Sequence, residues 1–519
     1  MSTTRVSHRV LLVLASVTLA CGHGGSARTL VYYESYDPRS LDPALSTDVP
    51  TGEMVTLMFD GLTAFDPDGR LVPGLADGWS VDRAGRHYVF HLRTGVKFHD
   101  GRPLTAGDVA ASFRRVLDSK TTGGRAWPLL PIAGAAAFAA GTSPDLSGVR
   151  ALGDTAVAID LAEPLAIFPK FLAMPVASIV PDPAPADLAQ RPVGTGPWRF
   201  VSWQHDDQLV FAKNPAYWGG APLADSLKVR IIPEPLTLAA EFEARRVSVI
   251  EIPFSETARW QQLHPNWLVR KPALRVVYLA LNNRRGALRD VRVRQAINHG
   301  VDVQEILQRV YAGRGIRARG AIPPILPGGD TSRAGYDYDP ARARALLASA
   351  GYGQGLDLQL WISATNVPLA RVAEAIQADL ARVGIRAEIV ARDASSQREA
   401  ARAGKADMAL LDWWADYPDG DDFLFPLFSS TSFGAGGNYA FYSDPVTDSL
   451  LLEARRTQDD AARERLYRTI DDRVYRAAPW LYLWFPVDLW AQSPRITGWE
   501  LPVIFNGQRW TGVRRAPAQ

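Results

Sequence analysis

The stretch DWWADYPDGDDF, Asp412 to Phe423, places two tryptophans and five aspartates within twelve residues. Three chemistries could use such a set. A calcium loop needs oxygens at alternating positions closed by a glutamate, whereas Asp416, Asp419, Asp421 and Asp422 straddle Pro418 with no such glutamate. A glycosidase needs two facing carboxylates, one with a raised pKa, and the acids scattered along the chain single out no pair. A cation pocket needs one carboxylate that loses its water when a cleft closes. Its attraction for a cation then grows, and neighbouring indole faces add cation–π attraction and apolar contact. A solvated acidic loop would account for the same residues.

The elements around the stretch bear on that choice. LDLQLWIS reads as a strand, and PLARVAEAIQADLARVG sets Leu369, Val372, Ala373, Ile376, Leu380 and Val383 on one helical face, with Gly384 as the stop. IRAEIVA is a second strand, SSQREAARAG a short helix and ADMALLDWW a third strand. This β-α-β-α-β order implies right-handed crossovers and a parallel sheet covered by helices. Ligands of such sheets sit beyond the carboxyl ends of the strands, where the acidic stretch emerges. Within the stretch, Asp412 ends a strand and Asp419, Asp421 and Asp422 are expected to solvate the turn around Pro418 and Gly420. Asp416, beside Trp413 and Trp414, is the acid of the stretch to which these elements give no such role.

Other candidate chemistries are weaker. No Gly-x-Ser-x-Gly, His-Glu-x-x-His or Cys/His pair occurs. In HYVFHL, alternation puts His87, Val89 and His91 on one strand face and Tyr88, Phe90 and Leu92 on the other. His87, His91 and His99 lack an acidic or thiol partner at a recognisable metal spacing, so an exposed strand face is the expectation. Arg371 lies near the start of the helix after LDLQLWIS, where a helix N-terminus helps hold an anion.

With 57 Lys and Arg against 55 Asp and Glu, the net charge of +2 provides no long-range field for nucleic acid or an anionic membrane. At 519 residues and 47% hydrophobic, two or three subdomains are expected. Fifteen tryptophans and 37 prolines point to aromatic surfaces and fixed turns. TLVYYE and LTAFDPDGRLVP read as short strands, and TAGDVAASFRRVL as a helix capped by Thr105. In YDYDPARARALLASAG, Asp339 and Pro340 open a helix. Between Thr121 and Arg191 the periodicity is too weak to assign elements.

Residues 1 to 27 read as a signal peptide: Arg5 and Arg9 precede an apolar run from Val10 to Ala20 that is too short to span a bilayer. The only cysteine, Cys21, follows that run, so no internal disulfide can form. GHGGSAR after it reads as a tether.

Several segments taken in order resemble one family. They are LDPALSTD (41–48), PGLADGWSVDRAG (73–85), FHLRTGVKFHDGRPLTAGDV (90–109), VGTGPWRF (193–200), NPAYWGG (214–220), VRVRQAINHGVD (291–302), YDYDPARARALLASAGY (336–352) and WWADYPDGDDF. Together they are similar to the peptide/nickel family of bacterial extracellular solute-binding proteins, the dipeptide- and oligopeptide-binding receptors of ABC importers. One segment departs from the family pattern: EARRVSVIEIP carries Arg246 and Ser248 where a Gly-x-x-Asp-like step is usual.

The resemblance implies an α/β, two-lobed periplasmic-binding-protein-like fold with a hinge. Lobe I would comprise 28–273 plus 487–519, with an additional subdomain at about 63–191, and lobe II would comprise 274–486. It implies capture of short peptides and delivery to ABC permease subunits, with no enzymatic activity, cofactor or nucleic acid. The protein would be a monomer anchored through a lipidated Cys21 in the periplasm or on the outer cell surface. Asp416 matches the aspartate that pairs with a peptide's amino terminus in the peptide-binding members, and Arg371 would take the carboxylate. The alternatives are the same scaffold holding a nickel chelate, an opine-like or a sugar-derived solute, and an extracytoplasmic hydrolase.

Overall fold

The computed structural model describes residues 28–121 and 125–516; Cys21 and the expected signal segment lie outside the described residues. The β-α-β-α-β run folds as its periodicity predicts. Strand Leu356–Ser363 lies between Ile385–Arg392 and Met408–Trp414 and runs parallel to both. Helix Val367–Arg382 buries Leu369, Val372, Ala373, Ile376 and Leu380, and Gly384 ends it at φ +92°. That left-handed angle is accessible to glycine without a Cβ clash.

The sheet as a whole is mixed, not parallel. Arg275–Leu281 joins antiparallel to Met408–Trp414, and Trp480–Gln492 joins antiparallel to Arg275–Leu281. Both added strands come from outside the crossover run, so no helical connection constrains their direction. The thirteen-residue strand Trp480–Gln492 then continues past this sheet: residues 487–492 pair with Leu268–Pro272 and Val249–Glu251. One strand thus runs through both halves of a two-lobed α/β fold. A short chain segment common to both lobes is what a hinge requires.

The other half holds a four-stranded sheet in which Thr29–Glu34 lies parallel to Ser226–Ile231. A separate antiparallel sheet, Ala76–Val81, His87–Leu92, Ala156–Asp160 and Val149–Ala151, is covered by helix Ala106–Leu117. Asp108 accepts from both the backbone amide and the hydroxyl of Thr105 at 2.8 Å, fixing that helix start. The stretch with weak periodicity resolves into elements of three to five residues, Ala135–Ala139, Val149–Ala151, Ala156–Asp160 and Phe168–Phe171. Elements this short complete barely one helical turn or one strand alternation, so they leave no readable period.

The GTGP and NPAYWGG segments meet at one buried acid. Asp60 accepts from Thr195 Oγ1 at 2.6 Å, Trp218 Nε1 at 3.1 Å and Tyr217 OH at 3.3 Å, and pairs with Arg509. Gly194 packs against the end of helix Val49–Met58 so closely that a Cβ would lie 2.1 Å from the Met58 carbonyl oxygen. Gly194→Ala is therefore expected to destabilise the protein by about 1–3 kcal/mol, the cost of overpacking, visible as a lower midpoint of thermal unfolding.

Candidate functional site

Strand Met408–Trp414 ends at the carboxyl edge of the sheet, paired with Arg275–Leu281 so that Trp414 faces Arg275 and Trp413 faces Val276. Beyond it the chain turns through Asp416 and Pro418 into helix Asp421–Phe428. Two aspartates in the first turn suit the positive end of that helix.

The expectation that Asp419, Asp421 and Asp422 solvate this turn does not hold. They are 4%, 0% and 2% exposed. Asp419 binds Lys170 Nζ at 2.6 Å, and the same ammonium donates to the Pro418 carbonyl at 2.7 Å. Burial pushes the Asp419 carboxyl up, but the Lys170 charge together with hydrogen bonds from the Asp421 amide and Lys170 outweighs it and holds the group below its usual range. Asp421 takes a forked contact from Arg455, at 2.9 Å from Nε and 2.8 Å from Nη2, and accepts from Tyr417 OH at 2.7 Å. The Arg455 guanidinium also lies 3.3 Å over the Phe425 ring. Asp422 accepts from Trp413 Nε1 and from the Asp416 amide, both at 3.1 Å. Burial, then the neighbouring Asp416 charge, push the Asp422 carboxyl well up. The signal for this burial was present in DDFLFPLF: acids that open an apolar helix go inside with it and must be paired there.

The three aspartates thereby clamp the turn from below and leave Asp416 on its outer side. Asp416 Oδ1 lies 3.3 Å from Arg125 Nη1, and Arg125 also donates to the Thr47 carbonyl at 3.1 Å. A third of the Asp416 side chain remains exposed. Burial raises its pKa, partly countered by Arg125. Arg125 comes from the opposite half of the chain, as do Lys170, Phe171 and Trp127. Phe171 packs edge-on to Tyr417 with ring centroids 4.9 Å apart. The turn Asp416–Asp421 is thus the point where the two halves meet.

Trp414 is 55% exposed, with its ring 4.2 Å under the Arg275 guanidinium and its indole N–H on Asp412 at 3.0 Å. Trp413 is partly buried, its N–H committed to Asp422. Trp413 and the Asp416 amide share the Asp422 carboxylate, whereas Trp414, the next residue of the strand, points to the opposite sheet face with Asp412 and Arg275. Arg371 stands exposed on helix Val367–Arg382 and, among the described residues, forms no ion pair or side-chain hydrogen bond. Arg125, Lys170 and Arg455 had no signal in the sequence, being 291, 249 and 34 residues from their partners.

The three histidines do not converge. His87 Nδ1 lies 2.6 Å from Asp160, His91 is exposed, and His99 Nε2 faces the Gly196 carbonyl at 3.0 Å. Among the described residues no group of three or more His, Cys, Asp or Glu is arranged to hold a metal ion. None of their helices is long and apolar enough to cross a membrane.

Residues 70–435 match the model of the bacterial extracellular solute-binding proteins, family 5. The chain is 32% identical to the dipeptide-binding protein of Escherichia coli strain K12, over 91% of this chain and 92% of that protein. It is 30% identical to heme-binding protein A of Haemophilus influenzae, over 95% and 96%. Among solved structures it superposes with the ABC transporter-associated periplasmic binding protein DppA from Helicobacter pylori in complex with the peptide STSA. That match has a TM-score of 0.77 and 28% identity, and it covers 94% of this chain and 98% of the other. By its match over most of its length and by these relatives, the chain belongs to the family 5 bacterial extracellular solute-binding proteins.

Proposed function

We propose that the protein captures short peptides between its two lobes and delivers them to an ABC permease, and that Asp416 receives the peptide's amino terminus. The observation that carries this reading is the Asp416 carboxylate itself. It follows strand Met408–Trp414 at the sheet's carboxyl edge, its amide bound to the buried Asp422, and it is still open to solvent over a third of its surface, with Trp413 and Trp414 as its proposed walls. The names of the E. coli dipeptide receptor and the peptide-bound H. pylori protein support the ligand class. A peptide ammonium would share or take over the place that Arg125 occupies beside the carboxylate. Arg371, exposed beyond the end of the same sheet, is the proposed partner of the peptide carboxylate.

The site has the parts of a receptor, a charge and aromatic walls between two hinged bodies, and its work is capture with no bond broken. The lobes are taken as 28–273 with 487–519, including a subdomain at about 63–191, and 274–486. Cys21 is proposed as a lipid anchor that keeps a monomer at the membrane outside the cytoplasm. Cys21→Ala is then expected to move the protein from the membrane to the soluble fraction.

Calorimetry with Ala-Ala, Ala-Ala-Ala and their N-acetylated forms tests the ligand reading. Acetylation removes the ammonium and is expected to weaken binding by about 100-fold, roughly 2.7 kcal/mol. Equal affinities for free and acetylated peptides would refute the role of Asp416. The pH dependence follows from the raised Asp416 pKa. As pH falls through that value the carboxylate protonates and attraction is lost, beginning above the ordinary carboxylate range. As pH rises past about 8 the peptide amine loses its own charge, so affinity is greatest between the two. Native mass spectrometry of the purified protein distinguishes a peptide cargo from a metal chelate or another solute.

A further inference from the structure

A second cluster of acids lies away from Asp416, inside the half of the molecule that holds the first strand. Strand Thr29–Glu34, helix Val49–Met58, the end of strand Trp480–Gln492 and the carboxyl-terminal segment enclose a cavity of about 70 Å³. Its walls are aromatic: Tyr32 lies 5.0 Å from Trp510 between ring centroids, and Trp490 lies 5.8 Å from Trp499. Its polar side chains are the carboxyls of Glu53 and Asp488, the Gln508 amide and the Tyr32 hydroxyl.

Among the described residues, Glu53 and Asp488 form no ion pair. The groups facing Glu53 are Glu34 and Tyr32. Glu34 shares a strand face with Tyr32, is only 6% exposed and has a buried Oε1 without a hydrogen-bond partner. The groups facing Asp488 are Glu251, Arg275 and Arg314. Both arginines are engaged elsewhere, Arg275 by Asp412 and Arg314 by the Ile252 carbonyl at 2.7 Å and Glu251 at 3.2 Å. A small chamber with aromatic faces and two carboxyls that no cation pairs directly is matched to an organic cation. The rings attract it by cation–π contact, and the acids supply the counter-charge.

The chamber adjoins the proposed cleft. Pro502 and Phe505 line it. Val503 between them meets the Asp416 turn at Gly69, where a Cβ would lie 2.9 Å from Val503 and 3.1 Å from Pro418. Arg275 joins the two regions from the other side, paired with Asp412 over the Trp414 ring while facing Asp488. We infer that this chamber receives the ammonium or guanidinium end of a ligand side chain, so that the protein prefers solutes carrying a second cationic group. This rests on the cleft reading above and narrows its ligand class to basic peptides.

Burial, ahead of any neighbouring charge, pushes the carboxyls of Glu53 and Asp488 each up to about 7. An entering cation favours their charged forms, lowers those values and releases protons. Binding of the cationic group therefore strengthens as pH rises from 6 to 8, and weakens as both acids protonate below 6.

The test compares Ala-Lys-Ala with Ala-Ala-Ala by calorimetry on the full chain and on Glu53→Gln and Asp488→Asn variants. Butylammonium is run in parallel as a cation with no peptide group, followed by thermal shift. Ala-Lys-Ala is expected to bind at least tenfold more tightly at pH 8. That margin should shrink at pH 6 and vanish in Glu53→Gln, while Ala-Ala-Ala binds both proteins alike. Both substitutions preserve shape and remove an acid that burial disfavours, so the empty variants are expected to unfold at or above the parent temperature. Equal affinity for the two tripeptides in the parent protein overturns the inference and leaves peptide capture standing. If neither tripeptide binds but butylammonium stabilises the parent and not Glu53→Gln, the peptide reading fails and the chamber stands. No response to any of the three probes overturns both.

Discussion

Asp416→Asn is expected to weaken binding of a free dipeptide or tripeptide by about 100-fold, while the empty protein unfolds within about 1–2 °C of the parent. The two halves of this expectation have separate causes. In the proposed closed cleft the carboxylate would face the peptide ammonium with little water between them, and removing one member of such a hydrogen-bonded charge pair costs about 2–5 kcal/mol. In the empty protein the same carboxylate has only Arg125 at 3.3 Å, with both side chains about a third exposed, and such a pair contributes no more than about 1 kcal/mol. Asparagine also keeps an oxygen beside Arg125. Titration of the variant with Ala-Ala, together with its melting curve, checks both halves. A loss of affinity accompanied by an equal loss of thermal stability would mark Asp416 as part of the scaffold.

The opposite pattern is expected at Asp421. Its carboxylate is 0% exposed and is balanced by the forked Arg455 contact, which burial opposes and the Asp421 charge sustains. Arg455→Met removes the counter-charge and leaves the carboxylate in a low-dielectric site with Tyr417 as its remaining donor. Uncompensated buried charges of this kind cost about 3–5 kcal/mol. In a lobe of this size that corresponds to a fall of about 10 °C in the thermal transition that includes helix Asp421–Phe428. Arg455→Lys should fall between, since an ammonium keeps the charge but cannot reproduce the fork. The double variant Arg455→Met with Asp421→Leu should recover part of the loss, because both charges then leave together. A midpoint unchanged in Arg455→Met would refute the account of this pair.

Both predictions concern one twelve-residue stretch, and they show where reading the chain alone succeeded and where it failed. Strand Met408–Trp414 and helix Val367–Arg382 were legible because local periodicity encodes which face is buried. The position of Asp416 at the sheet's carboxyl edge followed from the β-α-β-α-β order and its fixed handedness. The treatment of Asp419, Asp421 and Asp422 as turn-solvating acids failed because acid type and a nearby proline and glycine describe a loop equally well. Inside, Asp419 and Asp421 are paired by Lys170 and Arg455, supplied by distant elements, and Asp422 is held by Trp413 Nε1 and the Asp416 amide. The parallel sheet was extended by two antiparallel strands for the same reason: their pairing depends on contacts more than a hundred residues away in sequence, such as Val277 with Asp412.

By itself, then, the sequence determined the local elements, the edge from which the acidic stretch emerges and, through motifs spread along the chain, its solute-binding kinship. These properties depend on interactions between near neighbours or on residue order, both of which are written in the chain. Tertiary structure alone decided that Asp416 stays partly open to solvent, that Lys170 and Arg455 neutralise Asp419 and Asp421, and that Glu53 and Asp488 share one aromatic chamber. Charge partnership and solvent access are set by whichever side chains folding brings within a few ångströms, and for buried carboxylates that proximity separates a structural ion pair from a binding site.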